Sequence, residues 1–152
     1  MKKLFGIIGN PIKHSLSPVL HKYWFDKYSL DADYSIIDVT NNNLTKIIEK
    51  IKDRSFTGIN VTLPYKQKII NHIDKVVNDA EQTGSVNTVL VDANKSVIGE
   101  NTDVFGYSEA IRQTNFNTKN KTALILGAGG VSASIILALK EMGISEIILS
   151  NR

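Results

Sequence analysis

A lysine, a few clustered hydroxyls and one glycine-rich turn are the parts of this sequence that could do chemistry. Lys66 closes the segment Asn60-Val61-Thr62-Leu63-Pro64-Tyr65-Lys66. Pro64 reads as a helix start, and the positive end of the helix dipole disfavours a cation there. A lysine so placed does not help stability, which points to use; a solvated surface lysine is the ordinary alternative. The stretch from Asn10 to Pro18 sets two hydroxyls, Ser15 and Ser17, beside a predicted helix N-terminus, a natural seat for a carboxylate. Read alone, Ser17 merely caps that helix and Ser15 belongs to the turn. Gly84-Ser85-Val86-Asn87-Thr88 and Gly99-Glu100-Asn101-Thr102-Asp103 add further polar groups, which turn chemistry alone would also explain.

Gly127-Ala128-Gly129-Gly130-Val131-Ser132 follows an apolar strand and opens a helix, the setting of a dinucleotide fingerprint. The first glycine permits a tight turn, the second lets the backbone approach a pyrophosphate, and the helix N-terminus offers N–H groups to phosphate. Ser132 is small enough for close packing. The next strand runs into Ser150-Asn151-Arg152, where NAD-binding domains usually place an acid for the ribose hydroxyls. A guanidinium instead suits a 2′-phosphate, so the ending favours NADP, with a plain surface arginine as the alternative.

These groups must be positioned by alternating strands and helices. Strands are predicted at Leu4 to Ile8, Tyr34 to Val39, Phe56 to Leu63, Val86 to Val91, Val97-Ile98, Thr122 to Leu126 and Ile147 to Leu149. The turn residues 92–96 predict a hairpin. Ser17-Pro18 opens a helix whose buried stripe would be Leu20, Trp24 and Tyr28. Leu44, Ile47, Ile48 and Ile51 fit the i, i+3, i+4, i+7 pattern of a second. Pro64 starts a third, carrying Ile69, Ile70 and Ile73. Further helices fall near Phe105 to Thr114 and at Ser132 to Met142, the latter closed by Gly143. The class is α/β with mainly parallel sheets.

Composition excludes several functions. The 152 residues carry 18 basic and 15 acidic side chains, a net +3 too slight and scattered for a nucleic-acid footprint. Cysteine is absent, which rules out disulfides and thiolate metal sites. The apolar stretch after Met1-Lys2-Lys3 is too short for a signal-peptide core or a membrane span, so the expected location is the cytoplasm.

The pieces GNPIKHSLSPVLH, NVTLPYK, GSVNT, GENTD, GAGGVS and the final NR, in this order and spacing over all 152 residues, resemble the shikimate dehydrogenase family. The resemblance implies two α/β domains with the active site in the cleft between them. Residues 1–101 would form a three-layer shikimate-binding catalytic domain and 102–121 a helix and linker. Residues 122–152 would be the first βαβ of a Rossmann NADP-binding domain, truncated. It implies that Ser15 and Ser17 hold the substrate carboxylate, and that Thr62, Asn87 and Asp103 bind ring hydroxyls. Lys66 and Asp103 would be the catalytic pair, with Lys66 also touching substrate. Gly127, Ala128, Gly129, Gly130, Val131, Asn151 and Arg152 would contact NADP. The implied reaction is the reversible NADPH-dependent reduction of 3-dehydroshikimate to shikimate in chorismate and aromatic amino acid biosynthesis. Use of quinate, or a substrate-binding module without turnover, are the alternatives. The partners implied are the small-molecule substrate, no metal, no nucleic acid and no membrane, with a homodimer left open. Family members continue beyond Arg152 for about another domain's length.

Overall fold

The first apolar run becomes the strand on which the sheet is built. A computed structural model describes residues 2–39 and 43–151. In it β1 (Lys3–Gly9) pairs in parallel with β2 (Ala32–Asp38) on one side and β3 (Gly58–Val61) on the other. The remaining strands of this sheet are β4 (Lys75–Val76), β5 (Thr88–Val91) and β6 (Val97–Glu100), in the order β2-β1-β3-β5-β6-β4. β5 runs antiparallel to both β3 and β6, and the predicted hairpin is the β5–β6 pair. The Asp92 carboxylate builds its turn by accepting from the N–H groups of Asn94 and Ser96. A second sheet holds the parallel pair β7 (Thr122–Leu126) and β8 (Glu146–Ser150).

Among the described residues five α-helices accompany the strands: α1 (Ser17–Lys27), α2 (Leu44–Lys52), α3 (Asp79–Thr83), α4 (Asp103–Gln113) and α5 (Ser132–Glu141). The stripe predicted for α2 is the one observed: Leu44, Ile47, Ile48 and Ile51 are all buried. They pack on the sheet face formed by Ile8, Ile59, Val61 and Val89, which register places side by side across β1, β3 and β5. α1 lies against β2 on the opposite face, so the sheet is sandwiched between helices. No helix among the described residues is long and apolar enough to cross a membrane.

Two sequence expectations need correction. On α1, Leu20, Trp24 and Tyr28 are 55%, 40% and 63% exposed. The helix seats itself one residue further round, on His21 and Phe25. Sheet side chains provide aromatic surfaces there: His21 stacks on Tyr34 with centroids 3.9 Å apart, and Phe25 meets Phe5 at 5.7 Å. The displaced rings cover one another, Trp24 stacking on Tyr28 beneath the Lys27 ammonium. Nor does Pro64 begin a helix. The Lys66 carbonyl, which a helix would commit to its own fourth-following N–H, accepts from Val86 N–H instead at 2.9 Å. Residues 62–67 are therefore a string of turns, with only a short 3₁₀ helix (Lys68–His72) after them. The dipole argument for Lys66 falls away, and tertiary contacts must account for it. β4 and α3 were not foreseen, being too short to show a period.

Candidate active site

Strand direction gathers the polar clusters. The ends of β1, β3 and β6 and the start of the reversed β5 all reach one edge of the six-stranded sheet. Ser15 and Ser17 follow β1, Thr62 and Lys66 follow β3, Asn87 precedes β5 and Asp103 follows β6. The carboxyl ends of strands in open α/β sheets are where ligands ordinarily bind.

Lys66 and Asp103, 37 residues apart in sequence, meet there. Lys66 Nζ donates to Asp103 Oδ2 at 2.6 Å, with side-chain exposures of 11% and 25%. So little contact with water makes the pair tighter than a surface ion pair. Asp103 is the first residue of α4, where the helix dipole favours a carboxylate. Its backbone N–H donates to Asn101 Oδ1 and its other carboxylate oxygen accepts from Asn87 Nδ2 at 2.8 Å. Asn87 is fully engaged: Nδ2 donates to Asp103 and Thr102, while Oδ1 accepts from Thr102 N–H and the Thr88 hydroxyl. Its geometry aims Asp103 rather than leaving hydrogens spare.

At the β1 end, Ser17 N–H donates to Ser15 Oγ at 3.2 Å. The cap position of α1 falls on Leu16, not on Ser17 as sequence reasoning had it; Ser17 is the first residue of the helix. Ser15, Ser17 and Thr62 share a hollow of about 440 Å³ with His14 and Leu63. Tyr34 donates to Asn60 Oδ1 at 2.7 Å, and the Asn60 amide donates on to Thr88 Oγ1 and the Asn87 carbonyl. These bonds tie β2 and β3 to the Asn87 end of the site. Tyr34 and Asn60 were not among the candidates; an asparagine inside the otherwise apolar strand Gly58–Val61 was the available signal.

The glycine turn lies across from Lys66. Leu63, Pro64, Lys66, Gln67, Ala128, Gly129 and Gly130 line one hollow of about 210 Å³. Gly127 has φ 108°, which only glycine adopts without strain. A Cβ on Gly130 would lie 2.8 Å from Leu63 Cδ2, so the turn comes this close because that residue has no side chain. Nothing stands within 4 Å of a Cβ at Gly129, which leaves the backbone there accessible to a ligand. Val131 precedes α5 and is exposed. The Ser132 hydroxyl closes the turn by donating to the Gly127 carbonyl, and Asn151 Oδ1 accepts from Ala128 N–H at 3.3 Å. Arg152 lies outside the described residues.

Sequence comparison bears on the whole of this edge. A family model for the shikimate dehydrogenase substrate binding domain matches residues 7–89, more than half the chain. The chain belongs to the shikimate dehydrogenase family. Among its relatives, the NADP(+) shikimate dehydrogenase of Pelagibacter ubique is 48% identical over 152 residues, covering all of this chain and 57% of its own length. That of Caldanaerobacter subterraneus is 39% identical over 150 residues, covering 99% of this chain and 53% of its own. The shikimate dehydrogenase structure from Aquifex aeolicus superposes with a TM-score of 0.91 at 38% identity, covering 99% of this chain and 56% of that one. The Thermus thermophilus shikimate 5-dehydrogenase, solved with NADP(H) and shikimate, gives 0.89 at 34% identity, with 99% and 56% covered. The chain spans about half the length of the curated relatives it matches.

Proposed function

We propose that the protein is an NADP-dependent shikimate dehydrogenase, reducing 3-dehydroshikimate reversibly to shikimate. The observation that carries this reading is the hollow in which Lys66, held by Asp103, faces the glycine turn. Residues 1–101 would hold the ring acid, and 122–152 would begin the NADP-binding unit, joined through 102–121. Gly127, Ala128, Gly129, Gly130 and Val131 fit a dinucleotide pyrophosphate, since the turn leaves backbone accessible at Gly129 and α5 opens with N–H groups that have no partner in the helix. Asn151 and Arg152 are the candidates for the adenosine end. NADPH, when bound, supplies hydride to the carbonyl carbon.

The chain's own part is position, charge and the proton. Ser15 and Ser17 hold the ring carboxylate, and Thr62 with Asp103 binds ring hydroxyls. Asn87 aims Asp103. Lys66 Nζ, a cation with three hydrogens, gives a proton to the developing alkoxide and stabilises its charge. Asp103 keeps that ammonium turned toward the ring. The test is NADPH oxidation by the purified protein with 3-dehydroshikimate. Lys66→Ala is expected to lower kcat by about 10²-fold or more, the range for a general acid–base group. A near-normal kcat in that variant would overturn the role of Lys66. A shikimate-induced thermal shift with no turnover would reduce the function to binding.

A further inference from the structure

Gly130 is where the glycine turn touches the substrate half, and two groups reach it there. A Cβ added to Gly130 would lie 2.8 Å from Leu63 Cδ2 and 3.7 Å from Leu63 Cγ. Beyond its chain neighbours it would meet nothing else within 4 Å among the described residues. The missing side chain therefore points at Leu63, not out toward a ligand. Nor does the backbone demand glycine: Gly127 has φ 108°, whereas Gly130 lies outside the left-handed region, so alanine would suit its conformation. The second group is the buried Ser85 hydroxyl, which donates to the Gly130 carbonyl in a long bond of 3.4 Å.

Leu63 is held firmly by its backbone. Its carbonyl accepts from Asn10 N–H, and the preceding Thr62 N–H donates to the Ile8 carbonyl, each at 2.9 Å. The side chain is nonetheless 57% exposed. Leu63 is the one residue common to the hollow of Ser15, Ser17 and Thr62 and the hollow of Lys66 and the glycine turn. Lys66 shares the same frame. It lies three residues on in the same string of turns, and its carbonyl accepts from Val86, the neighbour of Ser85. The gap between Gly130 and Lys66 is thus set by groups of the substrate half.

We propose, resting on the function above, that Leu63 is a positioning residue for the cofactor: its side chain is the spacer against which Gly130 rests, and it sets how far a dinucleotide held by the turn stands from Lys66. Glycine at 130 is then demanded by Leu63 rather than by the pyrophosphate. A methyl at 130 moves either the turn or the leucine, and each move reshapes the hollow that both line. Trimming Leu63 leaves the turn without its stop.

The test uses the protein at its natural length and a readout that needs no turnover, the fluorescence of NADPH on binding. Gly130→Ala should weaken NADPH about tenfold, the scale of one overpacked contact. Adding Leu63→Ala makes room for the methyl and should bring the affinity back to within about twofold of Leu63→Ala alone, a coupling that independent sites do not show. In shikimate oxidation with NADP(+), Leu63→Ala should lower kcat about tenfold or more, since a misplacement of about 1 Å can cost about 10²-fold. KM for shikimate should stay within about twofold, because Ser15, Ser17, Thr62 and Asp103 keep their places. Parent-like NADPH binding in Gly130→Ala, a double variant no better than Gly130→Ala, or an unchanged kcat in Leu63→Ala overturns the proposal. The unsubstituted protein keeps the two readings apart. If it neither binds NADPH nor oxidises shikimate, the function fails and the spacer with it. If it does both and Gly130→Ala binds NADPH as tightly, the spacer alone is removed.

Discussion

Asp103 carries two loads at once, one on each carboxylate oxygen: the Lys66 ammonium and the Asn87 amide. Neither partner could be named from spacing, because Lys66 and Asp103 come together only when β3 and β6 end at the same edge. The sequence did show that Lys66 was worth attention, though for a reason the structure removes. Tyr34 gives a pH signature of its own. Burial is the main cause raising its pKa, to about 12, and the Ser17 side chain pulls it back. A phenol whose pKa is raised by folding contributes stability that is fully present below its unfolded value of about 10 and lost as pH rises toward 12. Alkaline unfolding should therefore steepen over that interval, and Tyr34→Phe should flatten it. Near-ultraviolet phenolate titration alongside the unfolding curve checks this. A Tyr34→Phe curve as steep as the parent's would contradict the assignment.

Among the elements, α2 was the most legible, because its four isoleucine and leucine positions have one period and one face to meet. α1 was misread by one residue in register, since aromatic partners on β1 and β2, distant in sequence, decide which face turns inward. The turn after β3 was misread because a tertiary bond from Val86 outcompetes a helical one. Asp74 shows how such elements are fastened. Its carboxylate accepts from Val97 N–H on β6 at 2.8 Å and from Lys52 of α2 at 3.1 Å. The Val97 bond and then the Lys52 bond hold its pKa below the usual 3.8. A carboxylate depressed by folding lends stability above its unfolded pKa and loses it as pH falls through the folded one. Asp74→Asn should thus lower stability at neutral pH and narrow the gap from the parent below about pH 4, as seen in denaturant midpoints at several pH values. A gap that does not change with pH would mean that the clasp carries no charge dependence.

For the whole molecule, the two sheets are held together by a buried amide. Asn101 donates to Ser134 Oγ on α5 at 2.9 Å and to the Ser85 carbonyl at 2.8 Å, and accepts from Asp103 N–H. Asn101 is 6% exposed and Ser134 is fully buried. Asn101→Ala should cost about 1–3 kcal/mol, the penalty for orphaned buried partners. It should also speed amide hydrogen exchange in α5 more than in β1 and β3. Uniform acceleration across the chain would show that the amide does not act as a joint. This joint was not legible in the sequence, because Asn101 and Ser134 lie in segments that look like ordinary turn and helix.

The position of the site at one sheet edge also fixes an order of manufacture. Every side chain assigned to the substrate falls between Ser15 and Asp103, and β6, the last strand of the larger sheet, ends at Glu100. Chains grow from the N-terminus at about 5–20 residues per second, and domains fold as units while they emerge. Once Asp103 has cleared the ribosome, every strand of the larger sheet and every side chain proposed for the substrate is in hand. The glycine turn is then delivered to a platform already built, with Asn101 waiting for Ser134.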